Sequence, residues 1–386
     1  MDLTTKLASL PPEKRELLMR KLGKGGSTAV AGAPKQSATV PFDPARHGNF
    51  RVQLGTPGIL DSLKYYVLPR MAPAAGQVEI EVHAAALNFR DVLLALGMYP
   101  QMPGVSNALG SDCAGRVTAV GEGVTHVRPG DEVLATVTHG FSGYVLAPSH
   151  AVAAKPKSCS MAEASAIPTV YWTAYFALHY LGRLTAGERV LIHAATGGVG
   201  LAAVQIARSR KAEIFATAGT DAKRDYLRAL GIAHVMDSRS LSFADEILAA
   251  TNNEGVDVVL NSLPGEAIAK GLSVLRVMGR FLEIGKRDIY GNSSIGLLPF
   301  RRSLSFHAID MSWGTPKNPA LFRTLLEEIV AHHDDGSFAP LPLQTFAAAD
   351  VSRAFASLAE ARHIGKVVVN MKDGPIPVYP SSGDPS

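Results

Sequence analysis

The chain has 386 residues, of which 47% are hydrophobic, and carries a formal net charge of +4. This length allows two domains with separate cores and excludes a single small binding module. The positive charge is spread along the chain, so we expect no nucleic-acid partner. Cys113 and Cys159 have no Cys or His beside them at metal-ligand spacing, which favours a reducing, cytoplasmic setting without disulfides or a structural zinc site.

The amino-terminal part predicts a helical segment and then a flexible linker, together covering residues 1–49. Apolar residues at helical spacing run from Met1 to Leu22, and Gly, Ala, Ser and Pro dominate residues 23–49. No signal-peptide pattern opens the chain. The most apolar stretch, residues 164–181, is interrupted by Pro168 and by polar residues, so it predicts a buried helix and no membrane contact.

The rest of the chain divides into three regions with different sequence patterns. Residues 50–167 contain short strands of alternating polarity, such as QVEIEVHAAAL, which predict a β-rich domain. Residues 168–311 alternate strands such as RVLIHA and VDVVLNS with helical stretches, which predicts a parallel sheet covered by helices on both faces. Residues 312–372 contain two helices and the strand GKVVVNM, which we expect to rejoin the first domain. Residues 373–386 form a Pro- and Ser-rich tail that we expect to be flexible.

A glycine-rich turn, HAATGGVG, follows the first strand of the α/β region. In a dinucleotide-binding fold this turn must be tight, must admit a pyrophosphate and must let the next helix pack on the strand. Ala195, Gly197 and Gly200 occupy the three fingerprint positions, and the amino end of the next helix can face an anion. A purely structural turn is the alternative. The predicted cofactor contacts here are Thr196, Gly197, Gly198, Val199 and Gly200.

The end of the second strand indicates which dinucleotide is bound. A fold specific for NAD usually has an acidic residue there, but this chain has Thr217, Ala218 and Gly219. Asp221 follows closely and is expected to cap the next helix. Hydroxyls and cations suit a 2′-phosphate, so we predict NADPH, with an ordinary solvated helix face as the alternative for the two cations. The predicted contacts are Thr217, Thr220, Lys223 and Arg224.

Several segments, in their order along the chain, together resemble a known superfamily. They are ALNFRDVLLALGMYP (86–100), LGSDCAGRVTAVGEGV (109–124), GDEV (130–133), HAATGGVGLAAVQIAR (193–208), VVLNSL (258–263) and GRFLEIGKRDI (279–289). The chain resembles the medium-chain dehydrogenase/reductase superfamily, and within it the zinc-independent, quinone-oxidoreductase-like enoyl reductase domains of modular type I polyketide synthases and of fatty acid synthases. The resemblance extends from about residue 50 to residue 372.

The resemblance implies an α/β fold of two domains. A GroES-like, partly open β-barrel for the substrate would consist of residues 50–167 and 312–372. A Rossmann domain with a doubly wound parallel sheet, residues 168–311, would be inserted between these two parts and would bind the cofactor. Zinc-dependent relatives have a Cys near the place of Asn88 and Gly-His-Glu at residues 110–112, so no metal is expected here. The matching segments add further expected cofactor contacts: Asn261, Ser262, Leu263, Gly285 and Lys286.

The resemblance also implies an activity, the NADPH-dependent reduction of the 2,3 double bond of a 2-enoyl thioester. The β-carbon would receive a hydride and the α-carbon a proton. Lys286 and Asp310 follow neighbouring strands, so we expect them to meet at the ligand edge of the sheet and, by the resemblance, to form the proton donor. A solvated loop lysine is the alternative for Lys286. Tyr99 is a second candidate donor, or a wall residue. Asn88 is expected to contact the substrate or the nicotinamide.

The expected partners are an acyl carrier protein bearing an enoyl-phosphopantetheine and neighbouring polyketide synthase domains, with the chain a monomer or a homodimer. Arg301 and Arg302, after the apolar IGLLPF, either meet the carrier or lie solvated in a surface loop. Three other functions stay open from the sequence. They are reduction of quinones or small enones, reductive ring closure, and a catalytically silent NADPH-binding scaffold.

Overall fold

The structure is a computed structural model that describes residues 39–100, 106–312 and 317–380. The expected amino-terminal helix and most of the linker lie outside the described residues. The strands are β1 (Val40–Pro41), β2 (Asn49–Leu54), β3 (Leu63–Leu68), β4 (Gln77–Ala86), β5 (Asp112–Val120), β6 (Glu132–Thr136), β7 (Tyr144–Pro148), β8 (Val152–Ala154), β9 (Arg189–Ile192), β10 (Glu213–Ala218), β11 (His234–Asp237), β12 (Val256–Asn261), β13 (Leu275–Glu283), β14 (Ser305–Ala308), β15 (Leu343–Ala347), β16 (Lys366–Asn370) and β17 (Pro377–Tyr379).

The helices discussed below alternate with these strands. They are α1 (Pro44–His47), α2 (Phe89–Ala95), α3 (Met161–Ser165), α4 (Pro168–Tyr175), α5 (Gly198–Ser209), α6 (Asp221–Ala229), α7 (Phe243–Ala250), α8 (Glu266–Ser273), α9 (Arg287–Tyr290), α10 (Pro319–Asp334) and α11 (Val351–Ala359). The stretch predicted to be a buried helix, residues 164–181, contains the end of α3 and all of α4, and α4 continues into π-helical turns at Phe176–Leu181. Within the described ranges, no helix has the length and apolarity that crossing a membrane requires.

A mostly antiparallel sheet joins the two ends of the chain. Its order is β15-β16-β4-β5-β6-β8, and β7 also pairs with β4. The long central strand β4 pairs antiparallel with β5 on one side and with β16 on the other. Because β16 comes from the last fifth of the sequence, the predicted return of the strand GKVVVNM to the first part of the chain is what the structure has.

A small second sheet, β1-β17-β3-β2, corrects the predicted linker and tail. Val40 pairs with Val378, and β17 also pairs parallel with β3, so residues 40–49 and 377–379 belong to the folded body. Val378 is fully buried. Pro- and Gly-rich composition suggested flexibility at both ends, but the apolar side chains there have core surface to cover, which overrides that tendency.

The parallel sheet has the order β11-β10-β9-β12-β13-β14, and every pair in it is parallel. Val190 and Ile192 pack in one hydrophobic cluster and Leu191 in another, so β9 is buried on both faces. The predicted α/β class with a doubly wound parallel sheet is confirmed. The strand order reverses between β9 and β12, and such a reversal leaves a crevice at the carboxyl ends of the strands.

Candidate active site

A cleft of about 680 Å³ opens at this reversal. One wall is the glycine-rich turn after β9 with the ends of β10 and β12, and the other comes from residues 87–89 and 365–366 of the antiparallel part. The two parts are tied directly beside the cleft, because the Gly365 amide donates to the Thr196 carbonyl at 2.9 Å. Of the predicted cofactor contacts, those that line the cleft are Thr196, Gly197, Gly198, Val199, Gly200, Thr220, Lys223 and Ser262.

The absence of a side chain has a different physical reason at each of the three glycines of the turn. A Cβ on Gly200 would lie 2.5 Å from the Ala194 carbonyl oxygen, so helix α5 can approach the strand only without a side chain there. A Cβ on Gly198 would lie 2.8 Å from the Lys366 side chain. A Cβ on Gly197 would meet only the Ala194 carbonyl oxygen, at 3.5 Å, so packing does not require this glycine. Its bare backbone faces the cleft, as close approach of a dinucleotide requires.

Helix α5 begins at this turn, and its Ncap is Gly197, which has no side chain to cap the first amides. The amide groups of the first turn have no partner within the helix, and the helix dipole favours an anion in front of them. Together with the bare backbone of Gly197, this donor set fits the pyrophosphate of a dinucleotide.

The end of β10 differs from the prediction in two residues. Thr217 is fully buried, and its hydroxyl meets His193 Nδ1 at 3.0 Å and accepts the Ala194 amide at 3.3 Å, so it holds the turn from behind. The helix cap is Thr220, whose hydroxyl accepts the Lys223 amide, rather than Asp221, which is the first residue of α6. The expected capping role of Asp221 is therefore wrong.

The sequence predicts Arg224 at the 2′-phosphate, but the structure directs it away from the cleft. Its guanidinium donates to the Ala218 carbonyl, pairs with Asp221 and lies 3.3 Å from Asp237. The cleft is instead lined by Lys223, Arg239 and Arg362. Sequence reasoning missed Arg239, which follows β11, because the dinucleotide pattern concerns only the end of the second strand.

Most of the predicted cofactor contacts after β12 and β13 take part in hydrogen bonds within the protein. The side chain of Asn261 donates to the Leu263 carbonyl at 2.8 Å and to Glu283, and Glu283 accepts the Gly285 amide. A Cβ on Gly285 would lie 2.5 Å from Glu283 Oε1, so a side chain here would push Glu283 out of its hydrogen-bonded position. Burial raises the pKa of Glu283 to about 8 against these donors. Asn261, Leu263 and Gly285 shape the turn, while Ser262 reaches the cleft.

Lys286 and Asp310 lie together, as their positions after neighbouring strands imply, but neither side chain lines the cleft, where Lys286 was also expected to contact the cofactor. Glu283 and Ala308 are paired at the ends of β13 and β14, and the Lys286 Nζ lies 2.9 Å from Asp310 Oδ2 and 3.1 Å from the Ile309 carbonyl oxygen. Burial lowers the pKa of the Lys286 ammonium, although Asp310 opposes the shift. Burial acts to raise the pKa of Asp310, but the hydrogen bonds from Lys286 and Tyr290 hold it below its usual value.

Tyr99 and Arg90 extend this cluster from the other part of the fold. The Arg90 guanidinium lies 5.2 Å from the centre of the Tyr99 ring, and it also donates to the Ala108 carbonyl at 3.1 Å. Burial raises the pKa of the Tyr99 hydroxyl, the positive charge of Arg90 opposes this, and Asp310 adds to it. The charges of Arg90 and Asp310 therefore both act on the Tyr99 hydroxyl.

Asn88 lines the cleft within a buried polar network. Its amide oxygen accepts the Lys366 ammonium at 2.7 Å, and its amide nitrogen donates to Asp112 at 2.7 Å. Lys366 is 3% exposed and Asp112 is fully buried, and Asp112 also accepts the Thr169 amide and hydroxyl. The described part of the chain contains no group of three or more His, Cys, Asp or Glu side chains placed to hold a metal ion.

Arg302 has a structural task that the sequence did not reveal. Its guanidinium donates to the backbone carbonyls of Leu272, Ser273 and Leu275 at the carboxyl end of α8. Cations commonly satisfy the last carbonyls of a helix in this way. Arg301 is exposed. Of the two arginines proposed for a carrier protein, only Arg301 is available at the surface.

Comparison with known proteins fits this architecture. Residues 74–168 match the family model of the alcohol dehydrogenase GroES-like domain, and residues 230–369 match that of the zinc-binding dehydrogenases. A component of the phenolphthiocerol/phthiocerol polyketide synthase of Mycobacterium tuberculosis is 43% identical over 342 residues. The phthioceranic/hydroxyphthioceranic acid synthase of the same organism is 44% identical over 340 residues. These alignments cover 89% and 88% of this chain, which spans only 16% of the length of either synthase.

Solved structures of similar length give the sharper comparison. CurK enoyl reductase is 41% identical with a TM-score of 0.77, and the apo form of JamJ enoyl reductase is 35% identical with a TM-score of 0.78. The CurF ER cyclopropanase of the curacin A biosynthetic pathway is 36% identical with a TM-score of 0.77. Each alignment covers 84% of this chain and 99% of the other. The chain therefore belongs to the enoyl reductases of polyketide synthases, oxidoreductases of the medium-chain dehydrogenase/reductase superfamily that use a nicotinamide cofactor.

Proposed function

We propose that this chain uses NADPH to reduce the 2,3 double bond of a 2-enoyl thioester carried on the phosphopantetheine of an acyl carrier protein, as one domain of a polyketide synthase. The observation that carries the proposal is the Lys286–Asp310 pair, 2.9 Å apart at the carboxyl edge of the parallel sheet. Enoyl reduction needs one proton donor beside the cofactor, and this pair provides a partly buried ammonium held by a carboxylate.

The donor follows from what the chemistry requires of the protein. When bound, the nicotinamide supplies the hydride that the β-carbon of the substrate receives. The α-carbon then needs a proton, which we assign to Lys286: the N–H bond at Nζ breaks, a C–H bond forms, and a neutral amine remains. Partial burial lowers the pKa of Lys286, which brings the ammonium closer to the acidity that efficient donation at neutral pH requires. Asp310 and the Ile309 carbonyl hold the amine in place before and after the transfer.

Tyr99 is the second candidate donor. Burial raises the pKa of its hydroxyl, so it is a weaker acid than an ordinary tyrosine. We therefore assign the proton to Lys286 and a lining role to Tyr99. For Asn88 we propose that the network with Lys366 fixes the substrate-side wall of the cleft, since its amide oxygen is already engaged.

The preference for NADPH is proposed from the charge around the second strand. The end of β10 has no acidic residue lining the cleft, whereas Thr220, Lys223 and Arg239 all line it. A 2′-phosphate carries negative charge that such cations and a hydroxyl can bind, and an acidic residue would repel it. The pyrophosphate would lie at the amides of Gly198 and Val199, in front of the bare backbone of Gly197.

The test is the oxidation of NADPH by the purified chain with crotonyl-pantetheine, crotonyl-loaded carrier protein and a panel of quinones. We expect turnover of both thioesters, faster with the carrier, and a lower KM for NADPH than for NADH. Reduction of quinones with no turnover of any enoyl thioester would contradict the proposal and would support a quinone reductase. Binding of NADPH without any turnover would support a silent scaffold.

A further inference from the structure

Tyr290 was not among the residues that the sequence singled out, yet its hydroxyl donates a hydrogen bond to Asp310. The acceptor atom is Oδ2, the same oxygen that lies 2.9 Å from the Lys286 ammonium. The other oxygen of Asp310 accepts the Ser312 amide at 2.9 Å. One carboxylate oxygen therefore receives two different side-chain donors, one neutral and one charged.

The local backbone produces this arrangement. Lys286 and Tyr290 are four residues apart, and the Tyr290 amide donates to the Lys286 carbonyl at 2.9 Å, so one turn of helix α9 directs both side chains to the same side. Asp288 fixes this turn, because its carboxylate accepts the Gly265 amide at 3.1 Å and the Ser293 hydroxyl at 3.2 Å. Asp288 is thus engaged elsewhere and does not compete with Asp310 for Lys286.

We propose that Tyr290 is a positioning residue that limits how firmly Asp310 holds the Lys286 ammonium. A carboxylate oxygen shares its negative charge among its donors, so each donor weakens the pull on the others. When Lys286 gives up its proton, the neutral amine attracts the carboxylate less than the ammonium did, so the Tyr290 hydrogen bond to Asp310 becomes stronger. The hydroxyl therefore stabilises the state after proton donation more than the state before it.

Without the hydroxyl, the charge of Asp310 rests more fully on Lys286, so the ammonium becomes a weaker acid. In Tyr290→Phe the titration of Lys286 should move to higher pH, whereas in Asp310→Asn it should move to lower pH, because the carboxylate that favours the charged form is gone. A tyrosine that merely packed against the pair would not produce shifts of opposite sign in these two variants.

Other charged and titratable groups face the pair and stay constant in this comparison. Arg90, from α2, lowers the pKa of Lys286 through its positive charge, and Glu283, at the end of β13, acts in the opposite direction. Tyr99 lies within electrostatic reach of Asp310. The negative charge of Asp288 raises the pKa of Glu283, and its carboxylate accepts hydrogen bonds from Gly265 and Ser293. None of these side chains is altered by Tyr290→Phe, and the retained ring keeps its place 6.0 Å from the Lys286 Nζ.

The experiment measures the acidity of Lys286 without turnover. The chain, free of cofactor, is labelled with a trace of acetic anhydride across a pH series, and acetylation at Lys286 is followed by peptide mass spectrometry. In Tyr290→Phe we expect the midpoint of Lys286 acetylation to rise by about half to one pH unit relative to wild type. Tyr379→Phe, in the small sheet with β1 and β3, is the matched control and should leave the midpoint unchanged. An unchanged or lower midpoint in Tyr290→Phe would overturn the inference.

A kinetic arm links this inference to the reaction, and only this arm rests on the proposed function. With crotonyl-pantetheine, Tyr290→Phe should lower kcat about threefold with little change in KM. The basic limb of its pH–rate profile should move to higher pH. If wild type does not reduce the thioester, the proposed function fails while the labelling result still decides the role of Tyr290. If wild type turns over and the basic limb of Tyr290→Phe moves downward or stays, the positioning role fails alone.

Discussion

The ammonium of Lys286 lies 2.9 Å from Asp310 Oδ2, although 24 positions of sequence separate the two residues. Their meeting depends on two parallel strands that end level with each other, since Glu283 of β13 is paired with Ala308 of β14. The loops after both strands then turn the two side chains toward each other at the carboxyl edge of the sheet.

Removing the proposed donor should slow the reaction without weakening cofactor binding. Lys286→Met keeps a side chain of similar length, and we expect kcat with crotonyl-pantetheine to fall by about 10²- to 10³-fold. The Kd of NADPH, followed by its fluorescence, should change by less than about threefold. A variant with wild-type kcat would exclude Lys286 as the donor.

Substitution of Arg239 should change the selectivity for the cofactor, and substitution of Arg224 should change the stability of the fold. Arg239 lines the cleft, so Arg239→Gln should raise the KM for NADPH by about tenfold or more and leave the KM for NADH unchanged. Arg224 is held by Asp221, Asp237 and the Ala218 carbonyl, so Arg224→Gln should lower the Tm and leave the preference between the two cofactors intact. The reverse pattern would show that Arg224 binds the 2′-phosphate.

Substitutions at two glycines of the turn should likewise separate cofactor binding from stability. Gly197→Ala should keep the Tm of wild type but weaken NADPH binding, because the added methyl group meets little protein and occupies the cleft side. Gly200→Ala should lower stability by about 1–3 kcal/mol, because its Cβ would lie 2.5 Å from the Ala194 carbonyl oxygen. Thermal unfolding and NADPH titration of both variants check the division. Equal destabilisation by the two substitutions would contradict it.

The buried network at Asn88 should be important for stability. Lys366→Met removes the cation beside a carboxylate that has no access to water, and we expect a loss of about 3 kcal/mol in urea unfolding. Adding Asp112→Asn removes the uncompensated charge and should recover part of that loss. If the double variant is less stable than the sum of the single changes predicts, the pairing of these two residues is not what stabilises the network.

Glu283 should make the chain less stable as the pH rises. Its pKa is about 8 in the folded chain, so between the ordinary value of 4.5 and about 8 the folded state keeps a proton that the unfolded state has lost. Stability from this group therefore falls across that window and levels off above it. Glu283→Gln should match wild type below about pH 4 and exceed it at about pH 8 by on the order of 4 kcal/mol. Parallel stability curves for the two proteins would contradict this.

Much of the architecture was predictable because it depends on local patterns. Alternating strands and helices and the turn after β9 predict a parallel sheet with a dinucleotide site, and positions after neighbouring strands brought Lys286 and Asp310 into one hypothesis. The fold around Val40 and Val378 was not predictable, because pairing between the two chain ends depends on tertiary contacts that composition does not record.

Side-chain direction was the other limit of the sequence. Thr217, Arg224 and Asn261 stand at the expected positions but are directed into the protein, where backbone carbonyls, acids and a histidine satisfy them. Arg239 and Tyr290 reach the site from elements that no motif marks. The signal for Arg239 is its place directly after a strand of the parallel sheet, the third in chain order. Tyr290 had a weaker signal in its spacing of four residues from Lys286.

In the proposed reaction an enoyl thioester is reduced with hydride from the cofactor and a proton donated through this site. The direct measurement is the position of deuterium in the product formed from crotonyl-pantetheine. With NADPH deuterated at the transferable position, we expect deuterium at the β-carbon alone. With unlabelled NADPH in heavy water, we expect deuterium at the α-carbon, and Lys286→Met should slow this second incorporation. Cofactor deuterium found at the α-carbon, or a product formed in heavy water without deuterium there, would contradict the proposed reaction.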